Sequence, residues 1–600
     1  METVDLECDV LVVGGGMGGV AAALAACRAG QSVCLTEENP WLGGQCTSQG
    51  VSALDEHPYI ETFGGTASYY DLRERIRSHY RDCYELSAKG LAAPFLNPGD
   101  GWVSRLCFEP RVGLAVLVEM LLPYVASRRL RIFYGARARS ATLAGDRIVA
   151  VTADQPTHAR TLAFHPAYVL DATELGDLLP LLGIPYFCGA EARAQTGEPD
   201  ARSDGPAPGL AQAFTLPFVV DFRPGEDHTI PRPADYERNR VEQPYTLTLR
   251  YDGRDLTYRV FEPAPGLPGP FWTYRRILAA DNFVPGQVPG DLAMINWPGN
   301  DFRGGSLLDC PPAEREPLLQ RARDLSLGFL YWLQTEVPRD DGRGRGYPEL
   351  RLRPDVLGTV DGLSQHPYVR ESRRIQAWRT VRQQDVLASL QPGPRAAPFT
   401  DSVGLGFYPV DIHPLPGDVA ATGPTRPFQI PLGALVPRDL TNLVAACKNI
   451  GTTHMTNGCY RLHPVEWNIG EAAGTLAAWC LGQTTTPAAV LSDPDRLRAF
   501  QVHLLQEGVP LYWYVDLPAG HPSWGATQIL ALSGVWPGQA GNLRFGPDEV
   551  ATPGEVRDAL AAASLGPGEL GLGTETRARG QVALTVAERR FGMRQAGQNE

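Results

Sequence analysis

The stretch CDVLVVGGGMGGVAAALAACRAGQSVCLTEE, residues 8–38, decides the fold. Its apolar run Val10–Val13 suits a buried parallel strand, and an alanine-rich helix follows the glycine turn directly. Gly14, Gly16 and Gly19 form G-x-G-x-x-G, which allows a tight turn, close approach of a pyrophosphate and close packing of helix on strand. The helix N-terminus, including Gly18, offers free N–H groups and a partial positive charge to phosphates. The pattern predicts a dinucleotide-binding unit in an α/β, Rossmann-like domain.

A second predicted strand ends on an acidic residue, Glu37, which lies 18 residues after Gly19. A carboxylate at this place accepts hydrogen bonds from ribose hydroxyls and repels a 2′-phosphate. Glycine-rich turns are common, so the turn alone would be weak support. The preceding strand, the following helix and the acidic residue together favour a dinucleotide site over a purely structural turn.

The next segment, NPWLGGQCTSQG at residues 39–50, indicates which dinucleotide is bound. With it the sequence resembles the FAD-dependent oxidoreductases of the glutathione-reductase structural class, above all the fumarate-reductase-like branch and a large bacterial group. In such proteins a Gly-Gly pair followed by Ser-x-Gly lines the ribityl and pyrophosphate path, and Gly43, Gly44, Ser48 and Gly50 match that spacing. The resemblance therefore implies FAD as the cofactor, with Gln45 inside the same loop.

Cys46 lies in this loop, where the disulfide reductases of the class carry two cysteines five positions apart. Here the second position is Val51, so Cys46 has no resolving partner. We expect Cys46 to lie beside the flavin as a small side chain. A thiol-dependent flavin reductase that uses Cys46 is the alternative.

Two later segments also resemble flavoprotein motifs. AYVLDATELGDLLPLLG, residues 167–183, places Asp171, Ala172 and Thr173 in a second dinucleotide motif, although Glu174 stands where glycine is typical. GCYRLHPVEWNIGEAAG, residues 458–474, resembles the segment before the helix that points its N-terminus at the flavin N1–C2=O edge, where the dipole stabilises an anionic flavin. The additional cofactor-binding residues implied there are His463 and Pro464.

The same resemblance supplies the catalytic candidates. Arg461 falls on the arginine that grips a substrate carboxylate and assists proton transfer, and His454 upstream is the candidate acid/base or hydrogen-bond donor. Lys448 replaces a glutamate that commonly binds the ribityl chain, so fumarate as the substrate does not follow. Arg370 in YVRESRRI, residues 368–375, is the third candidate.

Several interpretations stay open from the sequence. Arg370, Arg373 and Arg374 either form structural ion pairs, for example with Glu371, or bind substrate. His57 is either near the isoalloxazine or a surface or core-satisfied histidine. The remaining residues with both a pocket-lining and a packing interpretation are Trp297, Asn300 and Asp301.

Composition limits the function classes. The 600 residues are 43% hydrophobic with a net charge of −13, which argues against a nucleic-acid partner. No C-x-x-C pair occurs among the 11 cysteines, so we predict no metal site and no redox dithiol. No signal segment or long apolar run is evident, so we expect a cytoplasmic protein without a membrane span.

The predicted organisation has four segments. Residues 1–190 form the first part of a split FAD-binding domain, 191–345 an inserted α+β substrate or cap domain, and 346–484 the return of the FAD-binding domain. Residues 485–600 resemble one S-layer-homology repeat, a small helical appendage with possible capping boxes at Thr552–Glu555 and Thr585–Glu588.

The predicted function is that of an FAD-dependent oxidoreductase, a dehydrogenase or reductase. It moves a hydride between flavin N5 and a small polar or anionic substrate, with an unknown electron acceptor and with homo-oligomer formation as an option. The alternatives are the Cys46-dependent flavin reductase and a carbohydrate- or wall-binding protein whose flavin is vestigial.

Overall fold

A seven-stranded mixed sheet forms the centre of the computed structural model, which describes residues 2–251, 254–538, 541–566 and 577–592. Its strands, in spatial order, are Leu130–Tyr134, Val33–Glu37, Glu2–Val13, Arg160–Asp171, Arg147–Gln155 and Arg137–Ala144. The seventh strand, Leu443–Ala445, pairs in parallel with the second half of Arg160–Asp171. The first four strands in this order are parallel to one another. Arg147–Gln155 pairs antiparallel with both of its neighbours, Arg160–Asp171 and Arg137–Ala144. The α/β prediction is confirmed.

The register of the parallel strands brings four predicted segments to one edge of the sheet. Val13 lies opposite both Thr36 and Asp171, and Ala445 also lies opposite Asp171. The segments that follow these strands therefore emerge side by side. In open α/β sheets, ligands bind in the crevice at this carboxyl edge.

Two helices, Met17–Arg28 and His463–Gln483, cross each other beside the sheet. A Cβ at Gly470 would lie 1.9 Å from the carbonyl oxygen of Gly18, and one at Gly474 would lie 2.2 Å from that of Ala22. The two backbones are thus in direct contact, and this close crossing requires glycine at Gly470 and Gly474.

A second hydrophobic core, separate from that of the central sheet, includes side chains from Leu175 to Val369. It packs around a four-stranded antiparallel sheet and the long helix Pro312–Thr335. In spatial order the strands of this sheet are Arg276–Leu278, Leu292–Ile295, Phe218–Phe222 and Leu350–Leu352.

The region after residue 484 is helical and packs on the main core. Its described helices are Pro487–Ser492, Pro494–Gln506, Trp524–Leu532, Pro553–Ala562 and Arg579–Phe591. Phe500, Trp524 and Val582 belong to the same buried cluster as the central sheet. This region is therefore continuous with the body of the protein, and its S-layer-homology resemblance stays a prediction.

The two predicted capping boxes differ in outcome. Thr552 Oγ1 accepts from the Glu555 N–H at 3.2 Å and the Thr552 N–H donates to Glu555 Oε2 at 2.8 Å, so the first box is confirmed. The second prediction is wrong, because Thr585 lies inside the helix Arg579–Phe591 and its hydroxyl donates to the Gln581 carbonyl.

The remaining described helices of more than ten residues are Ala67–Cys83 and Pro110–Ala126.

Candidate functional site

A cleft opens at the carboxyl edge of the parallel strands. It is lined by residues 13–16, 36–39, 136–138 and 172–174 together with Gly44, Ser48, Gln49 and Asp177. Three segments that sequence analysis assigned to one cofactor thus meet here: the glycine turn, the loop at residues 43–50 and the motif that begins at Asp171. Sequence analysis missed the contribution of residues 136–138, which come from a strand pair without a motif.

The glycine turn is shaped for an anion. Gly14 has φ +102°, and a Cβ there would lie 2.3 Å from the Ala172 carbonyl oxygen, while one at Gly19 would lie 1.9 Å from that of Gly14. The N–H groups of Gly16, Met17 and Gly19 have no acceptor among the described residues. Open amides at a helix N-terminus form a site for phosphate groups, so the turn fits the pyrophosphate of a dinucleotide.

Glu37 closes the other end of the cleft. Its carboxylate accepts from the Gly15 N–H at 2.9 Å and from the Asn39 N–H at 2.7 Å. Burial raises the pKa of Glu37 to about 7. Glu37 thus lines the cleft beside the glycine turn, and its ribose role stays a prediction.

A buried group of charges lies beside the glycine turn. Lys448 Nζ contacts a carboxylate oxygen of Glu174 and lies 3.1 Å from Glu466 Oε2. Glu466 also accepts from the Gly18 N–H at 3.3 Å and from the side-chain amide of Gln45. Burial opposes the charge of Lys448, but Cys447, Glu174 and Glu466 outweigh it and raise the pKa of Lys448 well above its usual range.

The same group contains three ligand atoms suited to a cation. One atom each from Glu174, Cys447 and Glu466 lie within 4.8 Å of one another. The Lys448 ammonium lies among them, 3.7 Å from Cys447 Sγ. A lysine charge thus already occupies the centre of this group, and the absence of a metal stays a prediction.

Around Arg461 six side chains form a closed ring in which each contacts the next: Arg461, Tyr368, Arg370, Asp301, His413 and Asp411. Arg461 is buried; its Nη1 donates to the Tyr368 hydroxyl at 2.9 Å and its Nη2 lies 3.6 Å from Asp411 Oδ2. The Nε of Arg461 is buried and has no hydrogen-bond partner among the described residues. Arg461 therefore keeps a donor free.

The other half of the ring is held by ion pairs. Asp411 Oδ2 lies 3.2 Å from His413 Nε2, and His413 Nδ1 lies 2.5 Å from Asp301 Oδ2. Asp301 Oδ1 lies 2.9 Å from Arg370 Nη2, and the Arg370 guanidinium stacks 4.8 Å above the Tyr368 ring. Burial opposes ionisation of Asp301, but Arg370 and His413 hold its pKa well below the usual range.

A second histidine lies at the start of the helix His463–Gln483. His463 Nδ1 accepts from the Asp55 N–H at 3.0 Å and its Nε2 donates to the Val51 carbonyl at 3.0 Å. Burial lowers the pKa of His463 to about 4, so the ring is neutral. Asp55 Oδ1 in turn pairs with Arg275 Nη2 at 2.9 Å.

His454 has a different environment from the one expected of an acid/base group. Its Nδ1 is 2.8 Å from Glu371 Oε2, its Nε2 is 3.1 Å from Asp418 Oδ2, and the side chain is 1% exposed. Burial alone would lower its pKa, but Glu371 and Asp418 raise the pKa of His454 to about 10. The geometry favours a charged ion-pair partner, and a role in proton transfer stays a prediction.

The three arginines whose role stayed open differ in their contacts. Arg374 pairs with Glu371 and Glu191, and Arg373 pairs with Asp309 at 2.8 Å, which favours structural ion pairing for these two. Arg370 pairs with Asp301 as part of the ring.

The other residues whose role stayed open have different surroundings. Trp297 and Asn300 form a buried turn, in which Asn300 Oδ1 accepts from the Trp297 N–H at 2.8 Å, which favours the packing interpretation for both. Asp301 instead belongs to the ring. His57 is buried, and its ring lies 5.1 Å from that of Trp513, with both nitrogens unpartnered among the described residues. Burial lowers the pKa of His57 to about 3.

Cys46 is buried and unsuited to thiolate chemistry in this structure. Burial raises its pKa to about 12, and its Sγ lies 3.4 Å from the Gly43 carbonyl. All eleven cysteines are free.

Comparison with known proteins decides the family. The sequence profile of the family described as FAD dependent oxidoreductase matches residues 9–504. The chain is a member of this family. The cofactor of this oxidoreductase is FAD, and the open amides of the glycine turn described above fit that group. No curated protein matches the sequence significantly.

Solved structures resemble parts of this oxidoreductase. They include L-proline dehydrogenase from P.horikoshii, at 17% identity over 29% of this chain and 24% of that chain, with a TM-score of 0.17. Glycerol-3-phosphate dehydrogenase from Bacillus halodurans complexed with FAD has 15% identity over 36% and 40%, with a TM-score of 0.22. An open flavocytochrome c3 fumarate reductase has 18% identity over 28% and 34%, with a TM-score of 0.18. The chain thus spans less than half of each of these three structures, and similarity at this level does not identify the reaction.

Within the described residues, no helix combines the length and apolarity that a membrane crossing needs.

Proposed function

We propose that this oxidoreductase moves a hydride between FAD and a small polar or anionic substrate held at the ring around Arg461. The observation that carries the proposal is a bridge between the two sites. Gln45 in the cofactor loop donates through Nε2 to the main-chain carbonyl of Arg461 at 2.9 Å. Bound FAD supplies a two-electron carrier, and the bridge supports placing the substrate ring beside it.

Arg461 is the residue that would orient the substrate. A buried donor without an acceptor is unfavourable, and a guanidinium suits planar carboxylate or carbonyl groups. The free Nε–H of Arg461 is such a donor. Binding of an anionic or carbonyl oxygen there would satisfy it, which supports a polar substrate.

Proton transfer is placed at Asp411 and His413 in this proposal. Their side chains are 32% and 19% exposed, whereas that of Arg461 is 3% exposed, so the pair lies between the buried guanidinium and solvent. Burial opposes ionisation of Asp411, but His413 and Arg461 hold the pKa of Asp411 well below its usual range. In this proposal the imidazole of His413 carries the proton between substrate and water, and the ionised Asp411 carboxylate orients the ring.

The domain layout belongs to the same proposal. We place the FAD-binding domain in two separate parts of the sequence, because Leu443–Ala445 extends the sheet formed by the first 171 residues. The separate core around Pro312–Thr335 supports an inserted substrate domain. Arg370 and Asp301 reach the ring from the intervening part of the chain.

The test is spectroscopic and uses the purified protein. Small polar metabolites are screened without oxygen for bleaching of the flavin spectrum, and the active compound is then tested on Arg461→Met. We expect the variant to keep its flavin spectrum but to bleach about 100-fold more slowly, because a positioned charged donor is lost. Arg379→Gln, at an arginine whose side chain is 47% exposed, is the matched control and should bleach normally. An Arg461→Met protein that bleaches at the wild-type rate refutes the substrate site.

A further inference from the structure

The buried charges beside the glycine turn do not balance. One ammonium, Lys448, serves the two carboxylates Glu174 and Glu466, and the side chains of the three are 1%, 11% and 0% exposed. The N-terminal end of the Met17–Arg28 helix adds partial positive charge, but FAD brings a pyrophosphate that carries two negative charges. Two carboxylates and a pyrophosphate cannot share a single lysine without strong repulsion.

The carboxylate of Glu174 lies in the space that the glycines leave open. Its Oε1 would be 2.7 Å from a Cβ on Gly16 and 2.8 Å from a Cβ on Gly44. Glycine at these places normally lets the pyrophosphate approach the backbone. Here a carboxylate lies over both turns, on a residue where flavoproteins of this kind typically have glycine.

The two carboxylates are held with unequal strength. Glu466 is fixed by the Gly18 N–H, Gln45 and Lys448. Glu174 has only Lys448, and its Oε1 is buried without a hydrogen-bond partner among the described residues. Moving the Glu174 side chain out of the turn therefore breaks fewer interactions than moving Glu466 would.

We propose that Glu174 competes with the FAD pyrophosphate for the glycine turn and for Lys448. When FAD binds, the carboxylate leaves the turn and Lys448 becomes the counter-ion of the phosphates, while Glu466 keeps its place. When FAD departs, Glu174 returns to Lys448 and the site closes on itself. Glu174 thereby limits how long the protein retains its cofactor. This inference depends on FAD binding alone and is independent of the substrate proposed above.

The experiment measures FAD release from the holoenzyme. Holoenzyme is diluted to a concentration at which FAD dissociates, and the rise in flavin fluorescence gives the release rate. Glu174→Gln keeps the shape of the side chain and removes its charge, so we expect release to slow about tenfold. Asp309→Asn is the matched control, because it removes a carboxylate that contacts Arg373 rather than Lys448 and that does not line the cleft. It should change the rate less than about twofold.

Three further variants separate competition from simple positioning. If Glu174 merely holds Lys448 ready for the phosphates, Glu174→Gln will release FAD faster than wild type, and the proposal is overturned. An unchanged rate overturns it as well. Glu174→Gly restores the residue typical of the motif and should also release FAD more slowly, which keeps the test decisive if the glutamine variant does not fold. Lys448→Met should release FAD at least tenfold faster, whereas Lys448→Arg should stay close to wild type.

Discussion

The helix crossing at Gly470 gives the sharpest prediction about stability. Ordinary contact begins at 3.4 Å, so a Cβ located 1.9 Å from the Gly18 carbonyl requires the two helices to separate by about 1.5 Å. Overpacking of this kind costs about 1–3 kcal/mol, and a clash with backbone that cannot rotate away belongs at the upper end. We therefore expect Gly470→Ala to destabilise the protein by about 2–3 kcal/mol.

The measurement compares two alanine variants of the same helix. Nothing lies within 4 Å of a Cβ at Gly482, so Gly482→Ala should raise the free energy of unfolding by up to about 1 kcal/mol through helix propensity, and with it the urea midpoint. Gly470→Ala should lower it in the same urea titration, and its FAD should be released faster because Gly18 belongs to the phosphate-binding turn. Midpoints that move in the same direction for both variants would refute the backbone-contact argument.

Two further predictions concern single side chains. Cys46→Ser should retain FAD and turnover within about twofold in the flavin-bleaching assay, because burial raises the pKa of Cys46 to about 12 and leaves no thiolate. Loss of turnover would instead support the thiol mechanism. For His454 the folded pKa of about 10 exceeds the usual value of about 6.5, so its ion pairs stabilise fully below pH 6.5 and are lost as the pH rises through 10. The unfolding midpoints of wild type and His454→Gln, measured from pH 6 to 10.5, should therefore differ most at low pH and converge at high pH; a constant difference would contradict the assigned ion pairs.

The nucleotide part of the site was predictable because its determinants are local. A glycine turn between a strand and a helix requires the same backbone wherever it occurs. The spacing of Gly14, Gly16 and Gly19 is therefore enough to predict the turn. The second motif at Asp171 also follows its strand directly. Once these strands are parallel and neighbouring, the segments that follow them must meet at one edge.

The ring around Arg461 could not be derived in the same way. Tyr368, Asp411 and His413 carry no spacing signal, and their contacts depend on how distant segments pack. His454 lies only seven positions before Arg461, but this proximity in the sequence does not determine what surrounds its side chain. A helix begins at His454, and its ring instead meets Glu371, a residue 83 positions away. Chemistry that depends on long-range pairing of polar side chains needs the three-dimensional arrangement.

The late strand Leu443–Ala445 has a consequence for how the protein is made. Until this strand has left the ribosome, the second half of Arg160–Asp171 has an unpaired edge at the place where the cofactor site forms. The partner strand ends 274 residues after Asp171, so at about 5–20 residues per second the edge stays unpaired for roughly 14–55 s. During that time a nascent chain would display apolar strand edges of the kind that recruit chaperones or aggregate.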